Sequence, residues 1–212
     1  MLAIEGSNDM KRGAWNLAAA VLMAVVTVIP VAAGPLEEGL TAYRERDYAT
    51  ALELWRPLAD KGNAAAQYQL GTLYAEGKGV EQSDTTAAAW FHRAAEQGDA
   101  AAQYNLAVSL GEGLGVPKDD AAAAKWFRRA AEQGMPYAQL NLGFLYATRR
   151  GVTPDDVEAV KWLELAIFAL PPGGARSDAA RMLKEVADRL TEEQLLEARV
   201  REKAWKAKPE IK

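Results

Sequence analysis

Between residues 64 and 98 the apolar positions fall into two helical stripes separated by a glycine-rich break. Ala66, Leu70 and Tyr74 stand at i, i+4 and i+8, and Gly71 joins their face. That spacing predicts an amphipathic helix, called the A helix below. Gly77-Lys78-Gly79 ends it, because glycine tolerates the left-handed conformation that closes helices. Val80 then turns the loop toward the core. Ser83-Asp84 marks the next start, where such side chains satisfy unpaired N–H groups and complement the positive helix end. A second helix, the B helix, carries Ala87, Trp90-Phe91 and Ala94-Ala95 on one side and stops at Gly98.

The same pattern returns 36 residues later as Ala102-Gln103-Tyr104, Leu106-Ala107, Gly115-Val116, Trp126-Phe127, Ala130-Ala131 and Gly134. A third copy keeps Ala138-Gln139, Leu142-Gly143, Gly151-Val152, Trp162 and Ala166. A fixed period of roughly 20–50 residues marks a solenoid. Gly71, Tyr74, Gly79, Trp90, Gly98, Gly115, Trp126, Gly134, Gly143, Gly151 and Trp162 therefore read as structural positions. The three tryptophans are expected in the core, since aromatics at helical spacing usually pack. Gln67, Gln103 and Gln139 are invariant within the chain, which favours a hydrogen bond between repeats.

The ends of the array are less regular. Residues 34–62 read as a degenerate helix pair, with Leu40 and Tyr43 on the first helix and Ala51, Leu54-Trp55 and Leu58-Ala59 on the second. Repeats then span 63–98, 99–134 and a degenerate 135–170, which has Arg149-Arg150 before Gly151 and so loses one glycine. After Pro171-Pro172-Gly173-Gly174 two capping helices are expected within 175–207. One runs from about Ser177 to Leu190; the other starts at Thr191, with Gln194 completing a capping box and Leu195, Leu196, Ala198 and Val200 on its face. The lysine-rich stretch after Trp205 reads as a frayed tail.

The series Ala66-Gln67-Tyr68-x-Leu70-Gly71-x-x-Tyr74-x-x-Gly77-x-Gly79-Val80, followed by Trp90-Phe91-x-x-Ala94-Ala95-x-x-Gly98, resembles the Sel-1-like repeat, a relative of the tetratricopeptide repeat. The resemblance implies an all-α, right-handed α/α superhelical solenoid of two-helix repeats. It also implies a protein that acts as a scaffold or adaptor.

The amino terminus adds an address. Lys11-Arg12, an apolar run from Ala14 to Ile29, and Val31-Ala32-Ala33 follow the three-part order of a secretory signal peptide. Residues 1–33 are thus expected to be removed after Ala33, with Met10 as the better initiator or residues 1–9 a tolerated extension. The expected location is the bacterial periplasm or beyond. An uncleaved membrane anchor facing the periplasm is the alternative, although the run is short of the ~20 residues a span needs.

Composition narrows the chemistry. A net charge of −4 argues against a general affinity for nucleic acid. No cysteine is present, which excludes disulfides, cysteine metal sites and cysteine nucleophiles. The single histidine, His92, occupies the phase of Arg128 and reads as a solvated surface group. Acidic pairs such as Asp119-Asp120 and Asp155-Asp156 lie near helix starts, where the dipole accounts for them. No catalytic residue, metal site or cofactor is expected.

The inner surface of a two-helix solenoid is lined by its first helices. One A-helix face carries Gln69, Thr72 and Glu76, then Asn105, Val108 and Glu112, then Asn141, Phe144 and Thr148. These residues form the candidate groove for a protein or peptide partner, with the amides suited to an extended backbone. The rival is an envelope enzyme or a peptidoglycan- or glycan-binding protein. Some secreted relatives with a cysteine pair per repeat are described as penicillin-binding or β-lactamase-like, but that framework is absent here.

Overall fold

The computed structural model describes residues 34–210. The export segment and the alternative start at Met10 lie outside them. Among the described residues there are ten helices and no strands. They are α1 (Pro35–Arg44), α2 (Tyr48–Asp60), α3 (Ala64–Glu76), α4 (Asp84–Glu96), α5 (Ala100–Glu112), α6 (Asp120–Glu132), α7 (Pro136–Thr148), α8 (Asp156–Ala169), α9 (Gly174–Ala187) and α10 (Glu192–Ala204). From α1 to α9 each helix packs on its predecessor and its successor, and α10 packs on α8. The result is an all-α solenoid with α9 and α10 over its carboxyl end. None of the described helices is long and apolar enough to cross a membrane.

Side-chain caps start the helices where the sequence predicts them. Ser83 accepts from the Thr86 N–H, Asp119 from Ala121 and Ala122, and Asp155 from Glu158. Thr191 and Gln194 form the reciprocal capping box of α10. Gly77 and Gly113 close α3 and α5 in the left-handed conformation. In the third copy Arg149 takes that conformation, with φ 60°. A left-handed residue other than glycine costs roughly 1–2 kcal/mol. Arg149→Gly is therefore expected to raise stability by about 1 kcal/mol, read as a higher urea midpoint with an unchanged slope.

The core differs from the predicted pattern at Tyr74 and at Trp126. Leu73, not Tyr74, is fully buried beside Ala66 and Leu70, and Tyr74 is half-buried with its hydroxyl accepting from Arg56 at 2.7 Å. Arg128 donates in the same way to Tyr146, one repeat pair on. At the intermediate repeat the equivalent positions are His92 and Leu110. Leucine has no hydroxyl to offer, and His92 is exposed, paired with Glu96 at 3.8 Å and edge-on to Trp126. Thus the phase shared by His92 and Arg128 is not simply a solvent-facing one. Trp90 and Trp162 are buried as expected, whereas Trp126 is only half-buried, with Arg129 stacked on it 4.5 Å from the ring centre.

The invariant glutamines join successive repeats. Gln67, Gln103 and Gln139 donate from Nε2 to the carbonyls of Ala59, Ala95 and Ala131. Gln97 and Gln133 donate to Oε1 of Gln67 and Gln103. The next member of that series is Ala169, and Oε1 of Gln139 is buried without a partner.

Two expectations for the carboxyl end are corrected. Leu196 and Val200 do not face the stack: they are 63% and 59% exposed. Since α10 touches the solenoid mainly through α8, one narrow stripe, Leu195 with buried Ala198, suffices. Nor is the segment after Trp205 frayed. It folds back, with the Lys208 N–H donating to the Glu132 carbonyl at 2.7 Å and Glu210 paired with Arg129.

Candidate partner-binding groove

The A helices α3, α5 and α7 stand side by side with B helices beneath the gaps between them. Leu70 and Leu142 anchor two of these helices in the core with Gly71 and Gly143 buried beside them, while Tyr68, Thr72, Asn141 and Phe144 are left partly or fully exposed. Three open depressions follow, of about 310, 250 and 320 Å³.

The first lies between α3 and α5 and includes Tyr68, Thr72, Glu76, Asn105, Val108 and Leu114. Between α5 and α7 the second includes Tyr104, Val108, Glu112, Asn141, Phe144 and Arg150. The third passes from α7 to α9 and includes Asn141, Phe144, Arg181 and Met182. Val108 belongs to the first two, and Asn141 and Phe144 to the last two, so the depressions form one run. Seven of the nine predicted groove residues are brought together in this way. Gln69 and Thr148 line none of the three.

Several polar members are already engaged. Thr72 and Thr148 donate their hydroxyls to the carbonyls of Tyr68 and Phe144 in their own helices. Asn141 donates to the Tyr137 carbonyl. Glu76 pairs with Lys78 at 2.7 Å and accepts from the Tyr43 hydroxyl at 2.8 Å. Burial works to raise the Glu76 carboxyl, but the Lys78 ammonium and the Tyr43 hydroxyl outweigh it and hold it below its ordinary value. A continuous amide row is thus not available. Asn105 remains with no side-chain bond to any described residue.

Other residues the periodicity assigned to the repeat framework also line the run. Tyr68 packs on Phe91 and Tyr104 on Phe127, at 6.0 and 5.7 Å between ring centres, so each presents an aromatic wall. Burial raises the Tyr104 hydroxyl above its ordinary pKa, while a hydrogen bond with Asn141 pulls the other way. Leu114 stands 43% exposed at the first depression. Arg150 reaches across the second to Asp120, with Nη2 to Oδ1 at 2.7 Å. The recurrence of tyrosine at 68 and 104 was a visible signal for part of this wall, and Arg150 stood out as a charged residue in the third loop; Leu114, at the same loop phase, carried none. Phe144 is 38% exposed, on the rim shared with α9 rather than buried beneath it.

These groups are suited to binding. Aromatic and aliphatic walls with a few polar atoms suit a peptide chain. Among the described residues no three His, Cys, Asp or Glu side chains converge as metal ligands would.

Comparisons with known proteins agree with this architecture. The Sel1 repeat model matches residues 33–63, 64–99, 100–135 and 136–167, taking in the first helix pair as well as the three later copies. A Sel1 repeat protein from Oxalobacter formigenes is similar in structure, with TM-score 0.68, 28% identity, and coverage of 80% of this chain and 69% of that one. So is c5321, a protective antigen present in uropathogenic Escherichia coli strains, with TM-score 0.53 and 29% identity. In that case 79% of this chain is covered but only 44% of the other. No curated protein matches the sequence. Sel1 repeats typically form scaffolds for protein–protein interaction. Four consecutive matches across the helix pairs α1 to α8 place the chain in the Sel1 repeat family.

Proposed function

We propose that this chain is an exported, non-catalytic adaptor that holds an extended segment of a partner protein along its A helices. The observation that carries the reading is the single run of three depressions, joined through Val108, Asn141 and Phe144. Its walls are aromatic and aliphatic, and its free polar groups are few. In such interfaces a small number of anchors supplies most of the affinity. The export half of the proposal rests on the order of residues 11–33.

Asn105→Ala combined with Phe144→Ala is expected to weaken partner capture by about 10-fold or more while leaving the helical circular dichroism intact. The assay is a pull-down from envelope extract with residues 34–212 as bait and the double variant as control. Unchanged capture by the variant overturns the groove assignment. Retention on peptidoglycan, with no protein captured, overturns the adaptor reading in favour of an envelope ligand. Amino-terminal sequencing of the exported protein is expected to begin at Gly34; a start at Met1 or Met10 in the membrane fraction contradicts cleavage.

A further inference from the structure

The segment Lys206–Glu210 is seated on the turns between repeats, away from the groove. Its Lys208 N–H donates to the carbonyl of Glu132, at the end of α6. The Glu210 N–H donates to Oε1 of Gln133 at 3.3 Å. The Glu210 carboxylate accepts from Arg129 at 2.7 Å and from Nε2 of Gln103 at 3.0 Å. Along this path Ala207 lies against Gly134, and the Glu210 carbonyl oxygen lies 2.1 Å from where a Cβ on residue 98 would stand, space that Gly98 leaves open. The segment therefore advances three residues, Ala207 to Glu210, in crossing one repeat. At about 3.3–3.6 Å per residue, that is an extended chain spanning about 10 Å.

The receiving groups recur one repeat earlier. Arg93 lies over Trp90 at 4.6 Å, as Arg129 lies over Trp126 at 4.5 Å. Gln97 donates to Gln67 at 2.7 Å, as Gln133 donates to Gln103 at 2.8 Å. Gln67 in turn holds the Ala59 carbonyl as Gln103 holds that of Ala95. Arg93 is exposed and pairs with no carboxylate among the described residues. One turn on from Arg93, at Gln97, an open depression of about 530 Å³ runs from Gly98 and Asp99 to Gly62 and Asn63. It begins at the glycine where Glu210 sits. The series stops after these two copies, because the next positions are Leu165 and Ala169.

The geometry points to a two-repeat track for an extended partner segment that carries two carboxylates three residues apart. The first takes the place of Glu210 at Arg129, Gln133 and Gln103; the second meets Arg93, Gln97 and Gln67. The chain's own Lys206–Glu210 fills the first half of the track and competes with the incoming segment. The track shares no lining residue with the A-helix groove, so it stands or falls separately from the proposed function.

The probe is a fluorescent peptide, Ala-Lys-Pro-Glu-Ala-Ala-Glu-amide, followed by anisotropy against the full chain. Glu210→Ala, which weakens the internal competitor, is expected to tighten binding by about fivefold or more. Arg93→Ala and the milder Arg93→Gln are each expected to weaken it by about fivefold, with unchanged circular dichroism. A peptide with glutamine as its last residue is expected to lose that dependence on Arg93. Binding indifferent to both Arg93 variants overturns the second half of the track. Absence of binding to the Glu210→Ala protein at millimolar peptide overturns the whole proposal.

Discussion

Replacing Trp162 with alanine is expected to cost about 3–5 kcal/mol, the range for removing a fully buried aromatic side chain. Trp162 is 1% exposed. Its Nε1–H donates to Glu158 at 3.0 Å, Lys161 stacks on its ring, and Trp205 meets it edge-on at 6.3 Å. The substitution opens a cavity under α8 and removes the surface on which the end of α10 rests. Each repeat contacts only its neighbours, so the loss falls first on the carboxyl end of the stack. Urea denaturation followed by far-ultraviolet circular dichroism is expected to show an early transition for α8–α10. Trp126→Ala is the matched comparison. Its side chain is half-buried at the same repeat phase and is expected to cost about 1–2 kcal/mol in lost area and cation–π contact. Equal losses for the two variants contradict the burial difference.

The second large effect is expected at Gly115. A Cβ there lies 2.2 Å from the Asp84 carbonyl carbon and 2.3 Å from the Thr85 nitrogen, in a backbone with φ +69°. Gly151 stands in the same way against Asp120 of α6. These glycines let the loop of one repeat press against the start of the preceding B helix, which sets the stacking of repeats. Gly115→Ala combines left-handed strain of roughly 1–2 kcal/mol with a displacement of similar cost, so a loss of about 3 kcal/mol is expected. Gly113→Ala separates the two causes. Its φ is +75°, but its Cβ meets only ordinary contacts, Lys118 Cβ at 3.5 Å being the nearest. It should lose about 1 kcal/mol, from backbone strain alone. If thermal denaturation finds the two alanine variants equivalent, steric closure between repeats is not what Gly115 provides.

The helices, their caps and the loop glycines were legible because each is encoded within a dozen neighbouring residues and written several times over. The repeat period placed Gln67, Gln103 and Gln139 between repeats for the same reason. Features that depend on a single distant partner were not legible. The return of Lys206–Glu210 to Arg129 joins residues 81 apart, and its composition alone resembles a solvated tail. The exposure of Leu196 and Val200 depends on how little of α10 the stack touches. In the groove, the phase of each residue was readable, but the satisfaction of its polar atoms was not. Thr72 and Glu76 share a face with Asn105 in the pattern, yet one bonds its own helix and the other bonds Lys78 and Tyr43. Leu114 and Arg150, which share one loop phase with Lys78, entered the site through the shape of the loops.

The most direct test of the adaptor account is site-specific photo-cross-linking in the envelope, with a benzophenone amino acid at Leu114 in the groove and, for comparison, at exposed Lys125 on α6. The account predicts a discrete protein adduct from position 114, absent from position 125 and lost when Asn105→Ala and Phe144→Ala are added. An adduct formed equally well from position 125, or one that survives the double substitution, contradicts it.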